Sequence, residues 1–489
     1  MAEHILFLTG KLAEKRLNRV LASMQPTDFS FEVRNLGISV AALMTADMIR
    51  RRVKEINGVD RIIVPGLCRG DLAAAGEHLG VPVIRGTVDV KDLPAFFGRQ
   101  CEAPDLSQYR VRIFAEIVDA PNLSIEQILE QAARYRRDGA NVIDIGCLPD
   151  TPFPHLEETV RTLRDSGFEV SVDSLADEDL LRGGRAGADY VLSLRESTAW
   201  IADEIDATPV LIPDRHGDME SLYRVIDRFL ARSRRFFADP ILDPVHFGFT
   251  ESLLRYQTLR RRYAQIGIMM GIGNLTELTE ADTTGINAIL FGIISELDLN
   301  AVLATEVSPH ACSAVREADF ARRMMYAARR DDSLPKGIGG ALTTTHERNP
   351  FPYSREEIEE LAAEIRDPNY RVLVSGQGVH VFNRDGQYSA TDPYAIFPHL
   401  KELEDDPPHA FYMGVELARA QIAWHLGKRY TQDEELDWGV ATPPAAEQST
   451  DPESLSRTQH AMATDKQGFS KAGTTVQASR KRKRKRKRK

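Results

Sequence analysis

The feature that most constrains the fold is a regular alternation of short apolar runs and amphipathic stretches between residues 110 and 330. Its clearest unit is Gly139–Ser174, where two apolar runs flank a stretch whose apolar residues, such as Leu156 and Val160, have helical spacing. The eight runs are Val111–Ile117, Val142–Ile145, Glu169–Val172, Tyr190–Ser193, Val210–Ile212, Pro240–Leu242, Gly267–Met270 and Ala301–Thr305. Eight strands that alternate with helices over about 220 residues predict a central (β/α)8 TIM barrel. A doubly wound open sheet is the competing fold, and it is disfavoured because no strand leads into a glycine-rich dinucleotide motif.

Three further regions flank the predicted barrel. Because 489 residues exceed what one hydrophobic core organises, more than one domain is expected. Residues 1–105 repeat the strand–helix pattern, with a long helix predicted at Ala41–Ile56, and indicate an N-terminal α/β domain. Residues 335–440 combine two helical segments with a predicted hairpin of Arg371–Val374 and His380–Phe382, which indicates a small α+β domain. Residues 441–489 are polar and poor in aromatic residues, and we predict a disordered tail with a polybasic end.

The charge of the chain is divided unevenly. The last ten residues, Arg480–Lys489, are all basic. The rest of the chain therefore holds 52 of the 62 Lys and Arg against 72 Asp and Glu, a net charge of −20. An acidic body of this kind is not built to follow nucleic-acid phosphates. The polybasic end is either a solvated, self-repelling tail or a segment that contacts anionic polymers without specificity.

The cysteines and the apolar runs indicate the compartment. The four cysteines, Cys68, Cys101, Cys147 and Cys312, have no paired spacing. This pattern excludes a disulfide framework, argues against a cysteine zinc site and is typical of a reducing cytoplasm. No apolar run approaches the roughly 18 residues that a membrane span needs. We therefore expect a cytoplasmic protein without membrane contact, possessing an N-terminal strand in place of a signal peptide.

Two minor motifs have unremarkable interpretations. The turn Thr9–Lys11 after the first predicted strand has the composition of a phosphate loop but lacks the full glycine pattern, so a tight turn is favoured. The histidines His399, His409 and His425 do not have zinc-ligand spacing, so ordinary packing is predicted for them.

Polar residues follow the carboxyl ends of the eight predicted strands, which meet at one mouth in a closed barrel. They are Asp119, Asn122, Asp144, Asp173, Ser174, Ser193, Arg195, Asp214, Arg215, His216, Asp243, His246, Asn274 and His310. Carboxylates and an amide suit a flat, nitrogen-rich heterocycle such as a pterin, whose amino and ring N–H groups are donors. Asp173 and Asp243 have a second interpretation, as caps of the following helices. Because each directly follows a short β-run, we favour ligand binding.

Four segments of the predicted barrel carry recognisable motifs. They are GANVIDIG (Gly139–Gly146), VSVDS (Val170–Ser174), ILDPVHFGFTES (Ile241–Ser252) and MMGIGNLTELTEAD (Met269–Asp282). These segments resemble the second, third, sixth and seventh strands of the dihydropteroate synthases and the related methyltetrahydrofolate methyltransferases. Together with the flanking domains and the segment His409–Gly439, residues 1–440 are similar to the dihydropteroate synthase-related proteins associated with tetrahydromethanopterin.

The resemblance implies a pterin-binding site at the barrel mouth. It implies that Asp173 and Asp243 hold the pterin edge and that Asn274 faces the ring. Ser193 stands where the fourth strand of the synthases carries an asparagine, and Asp144 belongs to the same expected pterin-binding set. The expected substrates are a pterin and a ribosylated aminobenzene phosphate.

The leaving group and a metal ion require further residues. Arg195 and His310 are candidates for binding phosphate, because the arginine fork suits it, and a structural salt bridge is the alternative. Mg²⁺ is expected near Asp119 if the reaction uses a metal ion. A homodimer is a further expectation.

Three functions remain open from the sequence. The first is a dihydropteroate synthase-like transferase of folate or tetrahydromethanopterin biosynthesis, which joins a hydroxymethyl-dihydropterin diphosphate to an arylamine and releases pyrophosphate. The second is methyl or one-carbon transfer on a reduced pterin, favoured by Asn274 where ordinary synthases carry a lysine. The third is a non-catalytic pterin-binding accessory protein, favoured by the missing lysine and by the missing arginine of the eighth strand.

Overall fold

The computed structural model describes residues 3–54, 56–99, 104–401, 403 and 406–442. Two compact units are present. The first comprises Met1–Leu106 with Ala327–Ile338, and the second comprises Ser107–Tyr326 with the residues from Gly339 onward. Apart from residues 441 and 442, the predicted disordered tail lies outside the described residues. None of the helices in the described part of the chain has the length and apolar character that a membrane span requires.

The first unit is built on a four-stranded parallel sheet with the order β2-β1-β3-β4. Its strands are β1 (Glu3–Thr9), β2 (Phe29–Asn35), β3 (Arg61–Val64) and β4 (Val83–Arg85), and its helices are α1 (Lys11–Ser23), α2 (Ala46–Arg52), α3 (Leu72–Leu79) and α4 (Leu93–Phe96). The single helix predicted at Ala41–Ile56 is wrong. A 3₁₀ turn occupies Ala41–Leu43, and α2 starts after Thr45, whose hydroxyl accepts a hydrogen bond from the Met48 amide and caps the helix.

The turn after β1 is a packed corner of the first unit. The amides of Lys11 and Leu12, which would face a phosphate in a phosphate-binding loop, donate to the carbonyls of Ile38 and Ser39 at 2.8 and 3.1 Å. A side chain at Gly10 would place its Cβ 2.7 Å from the Ala41 nitrogen. The glycine therefore permits close backbone packing, and the first amides of α1 are already bonded.

The second unit contains the predicted TIM barrel as a closed ring of eight parallel strands. The strands are β5 (Arg112–Ile117), β6 (Val142–Gly146), β7 (Glu169–Asp173), β8 (Tyr190–Leu194), β9 (Thr208–Leu211), β10 (Phe237–Ala238), β11 (Gly267–Gly271) and β12 (Ala301–Ala304). The helices are α5 (Ile125–Arg137), α6 (Leu156–Asp165), α7 (Asp177–Arg185), α8 (Met219–Ala231), α9 (Phe249–Arg262), α10 (Gly273–Thr276), α11 (Thr283–Glu296) and α12 (Ala314–Arg330). The barrel closes where β12 pairs with β5.

The sixth barrel strand lies earlier than predicted. It is Phe237–Ala238, whereas the apolar run suggested Pro240–Leu242. Pro240 has no amide hydrogen for a ladder, and Ile241 adopts φ +67°, so the chain leaves the sheet before this run. The run Pro240–Leu242 therefore belongs to the loop at the barrel mouth.

The remainder of the second unit is a small α+β subdomain. Its elements are α13 (Arg355–Glu364), β13 (Arg371–Ser375), β14 (Gly378–Asn383), β15 (Gly386–Ala390), α14 (Pro393–Ile396) and α15 (Pro407–Leu426). The predicted hairpin is present and continues into the third antiparallel strand β15, which the sequence analysis missed. The polar sequence GQYSA of β15 has none of the apolar alternation that marks a strand. Helix α15 packs on this sheet through Met413, Leu417 and Ala420.

Two buried histidines make this subdomain sensitive to acid. The ring nitrogens of His380 lie 2.7 and 2.8 Å from the hydroxyls of Ser375 and Ser389, and His409 stacks against Tyr412. Burial lowers the pKa of both His380 and His409. The folded state therefore binds fewer protons than the unfolded state.

We expect the subdomain to be most stable above pH 6.5, the ordinary histidine pKa, and to lose stability as the pH falls below it. Each histidine contributes a slope of at most about 1.4 kcal/mol per pH unit. Urea unfolding followed by tryptophan fluorescence, to which Trp424 and Trp438 contribute, checks the slope. A smaller slope in His380→Gln supports the assignment, and an unchanged slope contradicts it.

Candidate functional site

Three carboxylates from neighbouring strands meet inside the barrel. Glu116 near the end of β5, Asp144 in β6 and Asp173 at the end of β7 place one carboxylate oxygen each within 4.8 Å of one another. The strand register explains the meeting, since Glu116 lies opposite Asp144, and Asp173 lies opposite Gly146. We call these three residues the acidic triad. The triad lies toward the carboxyl ends of the strands, where TIM barrels carry their sites.

Glycine permits the close approach of the triad. A Cβ atom at Gly146 would lie 2.7 Å from the Glu116 carboxylate and 3.1 Å from the backbone of Val118. The absence of a side chain at this position therefore leaves room for Glu116 between β5 and β6.

The charge of the triad is not compensated by a basic side chain. Within the described ranges, no arginine, lysine or histidine forms an ion pair with Glu116, Asp144 or Asp173. Burial raises the pKa of Glu116 to about 7, and the charge of Asp173 adds to this shift. Burial and the charges of the other two members hold the pKa of Asp144 well above its usual range, and burial also raises the pKa of Asp173.

Two serine hydroxyls orient the triad. Ser171 donates a hydrogen bond to Asp144, and Ser193 donates to Asp173 at 2.7 Å. Ser193 adopts φ +68°, an uncommon conformation for a residue other than glycine, at the end of β8. The predicted pterin-binding residues Asp144, Asp173 and Ser193 are therefore brought together by the fold.

The loop after β10 forms the second part of the site. Asp239 accepts hydrogen bonds from the Tyr256 hydroxyl at 2.6 Å and from the Ile241 amide at 2.7 Å. Burial raises the pKa of Asp239 to about 6 in spite of these bonds. Ile241 is β-branched and has φ +67°, which is a strained conformation for such a residue. Strain of this kind concentrates at functional sites.

Asp243 is buried, and each of its carboxylate oxygens has one basic partner. Its Oδ2 accepts from Arg255 on α9 at 2.8 Å, and its Oδ1 lies 2.8 Å from His216 Nε2. Burial alone would raise the pKa of Asp243, but the hydrogen bonds from Arg255 and His216 outweigh it and lower the pKa. A Cβ at Gly248, which has φ +121°, would lie 2.7 Å from Oδ2. Asp243 is therefore held ionised, with one lone-pair direction on each oxygen left for a ligand.

The remaining predicted residues lie at the rim. Asn274 is exposed, and its amide donates to the Leu242 carbonyl at 2.7 Å. His310 is exposed, and its Nε2 donates to the Thr276 carbonyl at 3.0 Å. Asp119 is exposed and is not a member of the triad. Arg195 is half-buried, and its guanidinium makes no ion pair or hydrogen bond with any part of the chain that the structure describes. It is therefore available to an anion.

Sequence reasoning missed three features of the site. Glu116 was overlooked because it lies inside a strand rather than after it, although a charged residue between Ala115 and Ile117 in an apolar run was the available signal. Arg255 lies on a helix with no local signature. The third feature is that no lysine occurs between Lys91 and Lys336, so the lysine absent from the seventh-strand loop has no replacement elsewhere in the barrel sequence.

Sequence comparisons give two matches. Residues 3–88 match a family of unknown function (DUF6513). An uncharacterized protein of Methanocaldococcus jannaschii is 26% identical over 526 residues, covering 88% of this chain and 98% of that protein. The second match extends beyond any one domain of this chain.

Among solved structures, several dihydropteroate synthases are similar to this chain. The Yersinia pestis enzyme with a pterine-sulfa conjugate is 17% identical, with a TM-score of 0.36, and covers 46% of this chain and 96% of its own. The Vibrio fischeri enzyme is 13% identical, with a TM-score of 0.35, over 46% of this chain and 94% of its own. The Xanthomonas albilineans enzyme in complex with 7,8-dihydropteroate is 15% identical, with a TM-score of 0.36, and the match covers 47% of this chain and 96% of that enzyme. Similarity at this level assigns neither substrate nor activity to this chain.

Proposed function

We propose that the barrel binds a reduced pterin and acts as a dihydropteroate synthase-like transferase. In this reaction a hydroxymethyl-dihydropterin diphosphate is joined to an arylamine, and pyrophosphate is released. The protein would then serve folate or tetrahydromethanopterin biosynthesis in the cytoplasm, with an arylamine phosphate as the second substrate.

The main support for the proposal is that the carboxylate of Asp173 is held in one orientation and has no basic partner in the described residues. Its Oδ1 is fixed by Ser193 at 2.7 Å, and no basic side chain in the described chain pairs with it. A carboxylate that is oriented but not neutralised is suited to accept hydrogen bonds from the amino and ring N–H groups of a pterin. Asp243 supports the same function, because Arg255 and His216 keep it ionised and therefore able to accept further donors.

Arg195 favours the synthase reaction over methyl transfer. A free guanidinium at the carboxyl end of β8 can bind the diphosphate through two parallel hydrogen bonds. Methyl transfer releases no anion, so it gives this arginine no role. The amine nitrogen would form a bond with the methylene carbon as the carbon–oxygen bond breaks, and pyrophosphate would leave with the bonding electrons while the amine loses one proton. Positioning and stabilisation of the leaving anion supply the rate.

Methyl or one-carbon transfer is kept as a second candidate because of one observation. No lysine is present between Lys91 and Lys336, so the barrel has no ammonium group to place over the pterin. The exposed Asn274 stands in the seventh-strand loop instead.

Pterin binding is tested first by calorimetric titration with 6-hydroxymethyl-dihydropterin. Removing the charge with Asp173→Asn is expected to weaken binding by about 30-fold or more, which corresponds to the 2 kcal/mol or more lost when a buried charged hydrogen bond is broken. Asp243→Asn is expected to act in the same direction. Asp177→Asn, at the exposed start of α7, is the matched control and should bind as the native protein does. Equal affinity of all four proteins would remove the pterin proposal.

Catalysis is tested by incubating the protein with the pterin diphosphate and an arylamine and detecting the condensed product by mass spectrometry. Product formation that Arg195→Met reduces, with pterin affinity retained, supports the synthase. Methyl exchange with a methylated pterin would favour the second candidate. Pterin binding without either activity would indicate an accessory protein.

A further inference from the structure

We propose that the acidic triad is a binding site for one hard divalent cation, Mg²⁺ or Mn²⁺, with Glu116, Asp144 and Asp173 as its protein ligands. The proposal goes beyond pterin binding; it shares Asp173 with the proposed pterin site, and it is tested with no pterin present. It also differs from the sequence expectation, which placed a metal ion near Asp119.

The acidic triad carries negative charge that no basic side chain in the described residues compensates. Three other buried carboxylates of the barrel, those of Asp243, Glu306 and Asp138, have an arginine partner at 2.7 to 2.8 Å. Glu317 and Asp239 have no arginine partner in the described residues, but each accepts hydrogen bonds from two or more neutral donors. The triad has three carboxylates within 4.8 Å and no such partner in the described residues. Buried charges are stable only when they are paired or coordinate a metal. The triad therefore lacks a positive charge that the fold supplies elsewhere.

One carboxylate oxygen of the triad lacks a partner among the described residues. Asp144 is completely buried, and its Oδ1 accepts the hydrogen bond from Ser171. Its Oδ2 is buried and has no hydrogen-bond partner among the residues that the structure describes. Buried polar atoms without a protein partner are rare, and a bound ion or water commonly satisfies them. Since Asp144 is a member of the triad, a cation there would satisfy this oxygen.

The ligand atoms of the triad suit a hard divalent cation. All three offer oxygen and none offers nitrogen or sulfur, which is the set that Mg²⁺ and Mn²⁺ prefer. Ser171 and Ser193 hold two of the carboxylates in place, as outer residues commonly do at metal sites. The triad has the composition of a magnesium or manganese site, with water completing the coordination.

The experiment is a titration of chelator-treated full-length protein with Mn²⁺ in the absence of a pterin. Binding is measured by calorimetry and by the loss of the electron paramagnetic resonance signal of free Mn²⁺. We expect one saturable site in the native protein. Asp144→Asn keeps the size and the Ser171 contact, and it should weaken binding by about 100-fold or more, since changes even to outer residues cost 10–100-fold. Asp119→Asn, the control for an exposed acid outside the triad, should bind like the native protein.

A thermal denaturation series separates binding from misfolding. Mn²⁺ should raise the melting temperature of the native protein and of Asp119→Asn, because a ligand that binds only the folded state stabilises it. It should leave Asp144→Asn unchanged. No saturable site in the native protein would mean that protons alone compensate the triad, and equal affinity in Asp144→Asn would place the ion elsewhere. Either result overturns the proposal and leaves the pterin titration unaffected.

Discussion

Replacing Arg322 with methionine is expected to destabilise the second unit by about 5 kcal/mol or more, a loss comparable to the whole stability of many domains. Arg322 lies on α12, and its side chain is 1% exposed. Its guanidinium donates to Asp319, to the side chain of Asn141, and to the carbonyls of Val111 and Gly139 at 2.7 and 2.8 Å. Methionine would fill the space but leave one carboxylate, the side-chain oxygen of Asn141 and two backbone carbonyls without this donor.

The reason for the large effect is the position of these contacts in the barrel. Val111 precedes the first barrel strand, and Gly139 and Asn141 form the loop that leads into β6. Arg322 therefore ties the last barrel helix to the start of the ring, near the β12–β5 closure. Its guanidinium also lies 3.6 Å from the centre of the Tyr109 ring. An unsatisfied buried acceptor alone costs about 1–3 kcal/mol.

Urea unfolding or, if the variant is too unstable, the yield of soluble protein measures the loss. Arg322→Lys keeps the charge but loses the planar fork, so it should lie between the native protein and Arg322→Met. Arg323→Met, one residue further along and 23% exposed, is the control and should lose about 1 kcal/mol or less. A native-like stability of Arg322→Met would show that the closure does not depend on this residue.

The fold could be predicted because periodicity is a local property. Seven of the eight barrel strands lie where the apolar runs indicated. Each of these runs is short and apolar and is followed by a segment with helical spacing of its apolar residues, which is the pattern of a buried strand before a helix. The sixth strand was misplaced because a buried loop can also contain an apolar run. The positive φ of Ile241 and the missing amide hydrogen of Pro240 show that the run Pro240–Leu242 is a loop and not a strand. Strand β15 was missed because its sequence is polar and has no apolar run. Its pairing with β14 is made by backbone hydrogen bonds, which the side-chain pattern does not reveal.

The site could be predicted only in part. The end of a strand can be recognised from neighbouring residues in the sequence, whereas a contact between side chains of different strands or helices cannot. Asp144 and Asp173 were found from their positions in or at the end of a strand. Asp243 was found because it follows the apolar run Pro240–Leu242, which the structure places in a loop. Their partners were not, since the closeness of Glu116 to Asp173 depends on the register of three strands. The same holds for Arg255, which reaches Asp243 from twelve residues further along the chain.

Replacing Arg255 with methionine is expected to destabilise the barrel by about 3–5 kcal/mol, the usual loss when one partner of a buried ion pair is removed. Asp243 and Arg255 have side chains only 6% and 10% exposed, so water does not replace the lost donor. Within the described residues, the exposed His216 would remain as the one basic partner of Asp243. In the native protein the pKa of Asp243 is lowered, and loss of Arg255 would raise it. The difference in the free energy of unfolding between the variant and the native protein should therefore shrink as the pH falls and Asp243 takes up a proton.

Arg134→Met is the informative comparison for this prediction. Arg134 pairs with Glu306, whose side chain is 1% exposed, at 2.7 Å, so the two pairs have similar distances. Arg134 is 33% exposed, however, and Arg255 also donates to the carbonyls of Pro240 and Ile241, which adds to the loss expected for Arg255→Met. The two pairs differ in charge state, because burial has already raised the pKa of Glu306 to about 7 in spite of the arginine. Glu306 can therefore take up a proton near neutral pH, and Arg134→Met should lose less stability than Arg255→Met. The double variant Arg255→Met with Asp243→Asn should recover part of the loss, since it removes the unpaired charge. Equal losses in the two single variants, measured by urea unfolding at pH 8, would contradict the view that Asp243 is held ionised by Arg255 for use at the barrel mouth.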